Sequence, residues 1–255
     1  MKTDYNQVSA EYDGRYVRHS YPGLAATLQS FVGERPLRVL ELGAGTGHWI
    51  ETLLAGGHDA HGIDPSTGML SKARLKVPPR CLSQARAEAL PFPDASFDRV
   101  FAMNAIHHFS EPQQALREAF RVLVPGGALM VCGLDPSIGV STWAVYDFFP
   151  STCARDLERY PSMITLRGWL ADVGFAQLAV REAEHIVHER EARDALAIGA
   201  LDKSATSQLS ELSDEAYQQG IAAIEAAAAA AEARQEVLRL QTDLKLYAVT
   251  GSKPR

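Results

Sequence analysis

Two carboxylates and a run of glycines stand where a chain could grip a small charged ligand. The glycines are Gly43, Gly45 and Gly47 in the stretch Val39-Leu-Glu41-Leu-Gly43-Ala44-Gly45-Thr-Gly47. They remove the Cβ atoms that would keep a ligand from the backbone, and the turn leads into unpaired N–H groups at a helix start. The spacing is GxGxG, whereas a pyrophosphate-binding turn reads GxGxxG. Glu41, just before the glycines, would repel a pyrophosphate and suits the amino group of a methionine moiety. Asp64, in Gly62-Ile-Asp64-Pro65-Ser-Thr-Gly-Met69, follows after about twenty residues, where an acid can accept both ribose hydroxyls. The plainer alternative is an aspartate held by backbone amides at a helix start.

A second group could move a proton. His107 and His108 follow the apolar run Phe97–Met103, and Asp135 follows Ala128–Gly133. Imidazole titrates near neutral pH, so either histidine could serve as a general base with Asp135 orienting it; capping of the loop is the structural alternative. The eight histidines form no HxxxH pair with nearby carboxylates, so no metal centre is expected.

The elements that must position these residues are legible from periodicity. Arg38–Leu42, Ala60–Ile63, Arg80–Gln84, Phe97–Met103 and Ala128–Gly133 read as strands. His48–Ala55, a segment starting near Pro65, and Glu111–Leu123 read as helices. This alternation predicts an α/β, doubly wound, mainly parallel sheet. Pro125-Gly126-Gly127 reads as a reverse turn before the fifth strand. Before residue 35, two amphipathic helices are expected, one carrying Val8, Tyr12 and Tyr16, the other Leu24, Leu28 and Phe31. Beyond residue 135, Leu166–Val173 reads as a helix, 176–188 as a strand, 190–234 as helical and alanine-rich, and Val237–Gly251 as a closing strand. The aromatic group Trp143, Tyr146, Phe148 and Phe149 could line a flat or apolar substrate or pack in the core.

A hydrophobic fraction of 46% in 255 residues supports one large domain. The net charge of −6 argues against a nucleic-acid partner. The polar N-terminal stretch lacks the apolar core of a signal peptide, and no apolar run is long enough to span a bilayer. Cys81, Cys132 and Cys153 form no CxxC pair, which points to inert thiols in a reducing, cytoplasmic setting.

Four segments in order, VLELGAGTG (39–47), GIDPSTGML (62–70), AEALPFPDASFDRV (87–100) and NAIHHF with EAFRVLVPGGAL (104–109 and 118–129), resemble the class I S-adenosylmethionine-dependent methyltransferases. The likeness is greatest to the group (methyltransferase type 11) that holds the ubiquinone/menaquinone-biosynthesis and many small-molecule enzymes. The resemblance covers residues 38 to 135. It implies a Rossmann-like seven-stranded sheet whose last strand is antiparallel, preceded by an N-terminal helical lid (1–34). The methyltransferase domain would be 35–255, with substrate-side helical insertions at 136–165 and 190–234. By the same resemblance, S-adenosyl-L-methionine is the cofactor. Glu41 with Gly43, Ala44, Gly45 and Gly47 would hold its methionine part, and Asp64 the ribose. Pro65 and Met69 would lie against adenine, Ala87 and Glu88 at its edge, and Asn104 beneath the sulfonium. Tyr12 and Tyr16, within a segment also holding Tyr5, Arg15 and His19, would cover the cofactor. Where relatives often carry an Asp before the Ala-Glu pair to accept from adenine, this chain has Arg86, which cannot accept.

The expected activity is therefore methyl transfer to a small, apolar or aromatic acceptor, with no membrane partner; the sequence does not define the oligomeric state. The alternatives are a nicotinamide-dependent oxidoreductase on a related sheet, which glycine spacing and Glu41 oppose, and a methyltransferase-like binding protein without transfer.

Overall fold

The computed structural model describes residues 21–255. The first expected helix, with Val8, Tyr12 and Tyr16, and the residues Tyr5, Arg15 and His19 lie outside the described residues. Described helix α1 (Pro22–Val32) starts on a proline, whose missing N–H costs nothing at a first turn, and buries Leu24 and Leu28.

The central sheet starts with β1 (Arg38–Leu42), β2 (Asp59–Asp64), β3 (Leu82–Gln84) and β4 (Phe97–Met103). Strand β1 pairs in parallel with β2 on one side and β4 on the other. A parallel strand with neighbours at both edges and layers on both faces is buried along its length, and Val39 to Leu42 are all buried, Glu41 being the one polar side chain among them. Helices α2 (His48–Ala55) and α3 (Thr67–Ala73) follow β1 and β2, and α4 (Pro112–Val122) follows β4. Strand β5 (Leu123–Leu134) pairs in parallel with β4. Beyond it come β6 (Val140–Trp143), α5 (Ala144–Phe148), α6 (Ser151–Arg159), α7 (Met163–Val173), β7 (Ala176–Glu191), α8 (Ala192–Ala197), α9 (Ser207–Ser210), α10 (Asp214–Glu232) and β8 (Arg239–Ser252).

The order is β3-β2-β1-β4-β5-β8, with β7 along the far edge of β8 and β6 continuing the β5 side. The expected sheet is present, with β8 antiparallel to β5, and the short β6 adds an eighth strand. Side chains alternate between its faces: Phe101 and Met103 of β4 join one core, Val100 and Ala102 the other. A third core lies in the segment after β5 and around α8–α10, where Val145, Phe149, Leu209 and Ile224 meet.

Three local readings change. The strand expected from Arg80 begins at Leu82, because the Pro79–Cys81 stretch forms a 3₁₀ turn. Pro125-Gly126-Gly127 is a bulge inside β5, not a turn ahead of it. Register runs from Phe97 opposite Leu123 to Arg99 opposite Ala128, and Lys253 exchanges backbone bonds with Gly126 and Gly127. The helical region after β7 is three helices, and β7 runs on to Glu191. Among the described residues, no helix is long and apolar enough to cross a membrane, and no cluster could hold a metal ion. All three cysteines are free thiols.

Candidate functional site

Strand order reverses between β1 and β4, so a crevice opens beyond their carboxyl ends. The glycine turn fills one wall of it. Gly43 and Ala44 both donate to the carbonyl of Ile63 at 2.9 Å, folding the turn over the end of β2. Gly43 has φ 77°, and a Cβ there would stand 2.7 Å from the Cβ of Ala105. Only glycine meets both demands.

Asp64 ties this turn to α3. Its carboxylate accepts from Gly45 N–H at 2.9 Å and from Ser66 N–H at 2.8 Å, one bond to each oxygen. Backbone amides thus fix Asp64, and each oxygen keeps a lone pair that could accept a further donor. Burial raises its pKa, and the two backbone bonds oppose that rise.

Glu41 is 1% exposed, and its Oε2 has no hydrogen-bond partner among the described residues. Burial pushes its pKa well above the usual carboxylate range, and the neighbouring Asp64 adds to the rise. A buried carboxyl with an open acceptor is a costly arrangement unless a donor arrives. A ligand ammonium would supply both the donor and the opposite charge. The two acids thus meet at one turn, Asp64 bonded to Gly45 and close enough to raise the Glu41 pKa.

A cavity of 520 Å³ lies against the turn, lined by Gly43, Pro65, Ala87 and Glu88, with His107 and His108 also on its wall. Ala44, Gly45, Gly47, Asp64 and Glu41 are not on this lining. Met69 is a correction: it is 1% exposed, packs in the core, and donates its N–H to the Ser66 cap at 3.1 Å. Glu88 is held by Ser110 and Glu111 N–H groups at 2.7 and 3.2 Å. Burial would raise its pKa, but these bonds and the charge of Arg86 leave it lowered. Arg86 reaches Glu88 at 3.5 Å and Ser110 Oγ at 2.7 Å, so it latches the loop after β4 to the cavity rim.

Asn104 adopts φ 49°, with its N–H bonded to the carbonyl of Cys132 at 2.8 Å. With His107 and His108 it lines a second cavity of 150 Å³, so both histidines stand between the two spaces. The ring of His107 is stacked 3.9 Å from Tyr160, at an interplanar angle of 22°. Asp135 is the second correction. Its carboxylate accepts from Ser137 N–H and hydroxyl and from Met163 N–H, so it caps the start of α7 and bonds neither histidine.

Sequence reasoning missed the wall that faces these histidines. Asp156, 1% exposed, accepts from Tyr146 OH, Gln208 Nε2 and Arg159 Nε at 2.7–2.8 Å. Arg159 also bonds Glu211 and Ser207. The i,i+3 spacing of Asp156 and Arg159 is visible in the sequence, but Gln208 and Glu211 lie about fifty residues on, beyond any local pattern. The aromatic group divides: Phe149 is core, packed on Tyr217, while Trp143 lines the second cavity.

The family described as "Methyltransferase domain" matches residues 40–131. A demethylmenaquinone methyltransferase of Renibacterium salmoninarum is 32% identical over 162 residues, 56% of this chain and 68% of the relative. A malonyl-[acyl-carrier protein] O-methyltransferase of Erwinia pyrifoliae is 38% identical over 129 residues, covering 49% of this chain and only 45% of that relative. Among solved structures, phosphoethanolamine N-methyltransferase 2 of Haemonchus contortus in complex with S-adenosyl-L-methionine has a TM-score of 0.63 at 18% identity, covering 98% of this chain and 57% of that one. That likeness bears on fold alone. The matched region begins in β1, beside Glu41 and the glycine turn, and ends in β5, spanning the strands whose ends frame the cavity. With an open buried acceptor beside that turn and a relative matched over two thirds of its length, the chain belongs to the class I S-adenosylmethionine-dependent methyltransferases.

Proposed function

We propose that the chain methylates a small-molecule acceptor that enters the second cavity and meets the cofactor at the His107–His108 rim. The observation that carries this reading is the shared wall: both histidines line the 520 Å³ cavity against the glycine turn and the adjoining 150 Å³ cavity. Glu41 would take the cofactor ammonium, Asp64 the ribose hydroxyls, and Pro65, Ala87 and Glu88 the adenine. Ala44, Gly45 and Gly47 would shape the turn, and Asn104 would stand under the sulfur. When bound, S-adenosylmethionine supplies an electrophilic methyl group and leaves as S-adenosylhomocysteine.

The chain itself must align the acceptor and receive its proton. His108 is our candidate base, with His107 beside it: as the acceptor oxygen, nitrogen or carbon bonds the methyl carbon, the imidazole takes the acceptor's proton. The stack on Tyr160 fixes the plane of His107 and so the shape of the rim. Segments 136–165 and 190–234, acting with the 35–255 domain, would supply acceptor specificity, in keeping with insertions above strand ends. The relatives named for demethylmenaquinone and malonyl-carrier-protein methylation support a biosynthetic acceptor, and the N-terminal segment 1–34 would close over the cofactor.

The test is calorimetry with S-adenosylhomocysteine, followed by methyl transfer from labelled cofactor to a panel of phenols, amines and carbon acids. Saturable cofactor binding and label in one acceptor class support the reading. Absence of binding at millimolar cofactor, or binding without transfer to any class, overturns it.

A further inference from the structure

The acceptor cavity does not end at the histidines. It adjoins a third chamber of 290 Å³, and the two share Tyr21, Trp143, Ile186, Ala205, Thr206 and Leu244. The floor of this chamber is a ladder of three cross-strand pairs: Ile186 opposite Leu244, His188 opposite Thr242, and Arg190 opposite Leu240. Strand alternation places these six side chains on one face. The intervening residues Glu189 and Glu191 pair with Arg239 on the other face. The chamber roof is α8 and the turn after it, where Ala195, Ala200 and Ala205 leave space that larger side chains would fill.

The charge of the lining is one-sided. The chain carries 31 acidic residues, and the cofactor cavity includes Glu88, Glu158 and Glu211 among its walls. Among the described residues, no carboxylate lines either the acceptor cavity or the third chamber. Among the described residues, the one side chain of fixed charge on the two linings is Arg190, at an exposed position on the floor. No carboxylate pairs with its guanidinium among the described residues, since the adjacent glutamates are taken by Arg239. A cationic ligand would leave water here and gain no counter-charge, which is unfavourable. An apolar body would replace water along Ile186, Leu240 and Leu244, and an anionic end would find Arg190.

We propose that the acceptor is an elongated amphiphile with an anionic terminus, its reacting end at His107–His108 and its carboxylate or phosphate at Arg190. This rests on the reading that methyl transfer occurs at the histidine rim. The chamber then sets the length and charge of the acceptor, with Arg190 and the alanine roof as specificity determinants.

The test uses the full chain loaded with S-adenosylhomocysteine and three probes of one chain length: dansyl-aminoundecanoate, its primary amide, and the matching primary amine. Dansyl fluorescence follows binding. The carboxylate should bind saturably and the amine should not. Arg190→Gln should weaken the carboxylate by about tenfold, as expected for one charge-assisted bond at a partly exposed site, and leave the amide unchanged. Ala205→Phe, at the junction of the chambers, should weaken carboxylate and amide alike. The proposal is overturned if no probe saturates, if the amine binds as tightly as the carboxylate, or if Arg190→Gln leaves the carboxylate untouched. Calorimetry with S-adenosylhomocysteine on the same preparation separates the two claims: lost cofactor binding counts against the proposed function, while a cofactor-binding protein that ignores the probes counts against the chamber alone.

Discussion

Replacing Glu41 by Gln should make the ligand-free protein more stable above neutral pH and its cofactor binding much weaker. The carboxyl is 1% exposed, and its folded pKa lies well above the unfolded value of 4.5. The folded state therefore holds a proton that the unfolded state releases as pH rises past 4.5. The stability tied to that proton is complete below pH 4.5 and is lost as pH rises through the folded pKa. Every tenfold tightening of the folded state's hold on that proton corresponds to about 1.4 kcal/mol. Glutamine has nearly the same shape, can still accept, and has no proton to lose, so this slope disappears. Asp64, whose pKa is also raised, keeps a slope of the same sign in both proteins.

With ligand the sign reverses. An ammonium that meets Glu41 makes a buried charge-assisted bond, and loss of one partner from such a pair costs roughly 2–5 kcal/mol. That is a rise in Kd of about thirtyfold or more. Thermal unfolding from about pH 5 to about pH 8 reads the first effect, and calorimetry with S-adenosylhomocysteine reads the second. The reasoning is refuted if Glu41→Gln binds with unchanged Kd, or if it is less stable than the parent at the alkaline end.

Gly43→Ala must place a methyl group 2.7 Å from the Cβ of Ala105 at φ 77°; chemical denaturation should show a loss of about 1–3 kcal/mol, with weaker S-adenosylhomocysteine binding. Asp135→Ala removes the acceptor for Ser137 and Met163, so stability should fall by about 1–3 kcal/mol while turnover of an accepted substrate at saturating cofactor is unchanged; a lost turnover would restore Asp135 as the orienter of the base. Burial pushes the Tyr160 phenol up to about 12. Its ionisation should separate the ultraviolet titration of the parent from that of Tyr160→Phe only near that pH, and the stability it confers should be full below 10.0 and lost through about 12.

What the sequence makes legible is what short-range pattern controls. Residues 39–47 contain a buried parallel strand, a turn whose backbone only glycine tolerates, and the start of a helix, all within one continuous stretch. Asp64 sits at a strand end for the same reason. Met69 reads as an adenine contact only through the family resemblance, and no local pattern separates that place from the core position it takes. Asp135 looks like a partner for a histidine because both follow adjacent parallel strands, but its local turn at Ser137 and the start of α7 use its oxygens first. The Pro125-Gly126-Gly127 bulge depends on Lys253, more than a hundred residues away. Such pairings have no trace in a local window.

The same contrast explains how the site is divided. The proposed cofactor half is built by the ends of β1, β2 and β4, which are held by the two cores on either side of the sheet. The proposed acceptor half is built by a segment with a core of its own, in which Phe149, Leu209 and Ile224 pack together. Within that segment Asp156 is buried with three donors, and Arg159 bridges it to Glu211 and Ser207. A buried acid fully bonded to side chains on two other elements is satisfied by one relative placement of α6 and α9, and any other placement leaves a buried charge unpaired. The roof over the chambers is thereby set by groups that do not touch Glu41 or Asp64. Distant sites without shared partners change stability nearly independently. The acceptor wall can therefore be altered at Ala195, Ala205 or Arg190 while the glycine turn keeps its geometry.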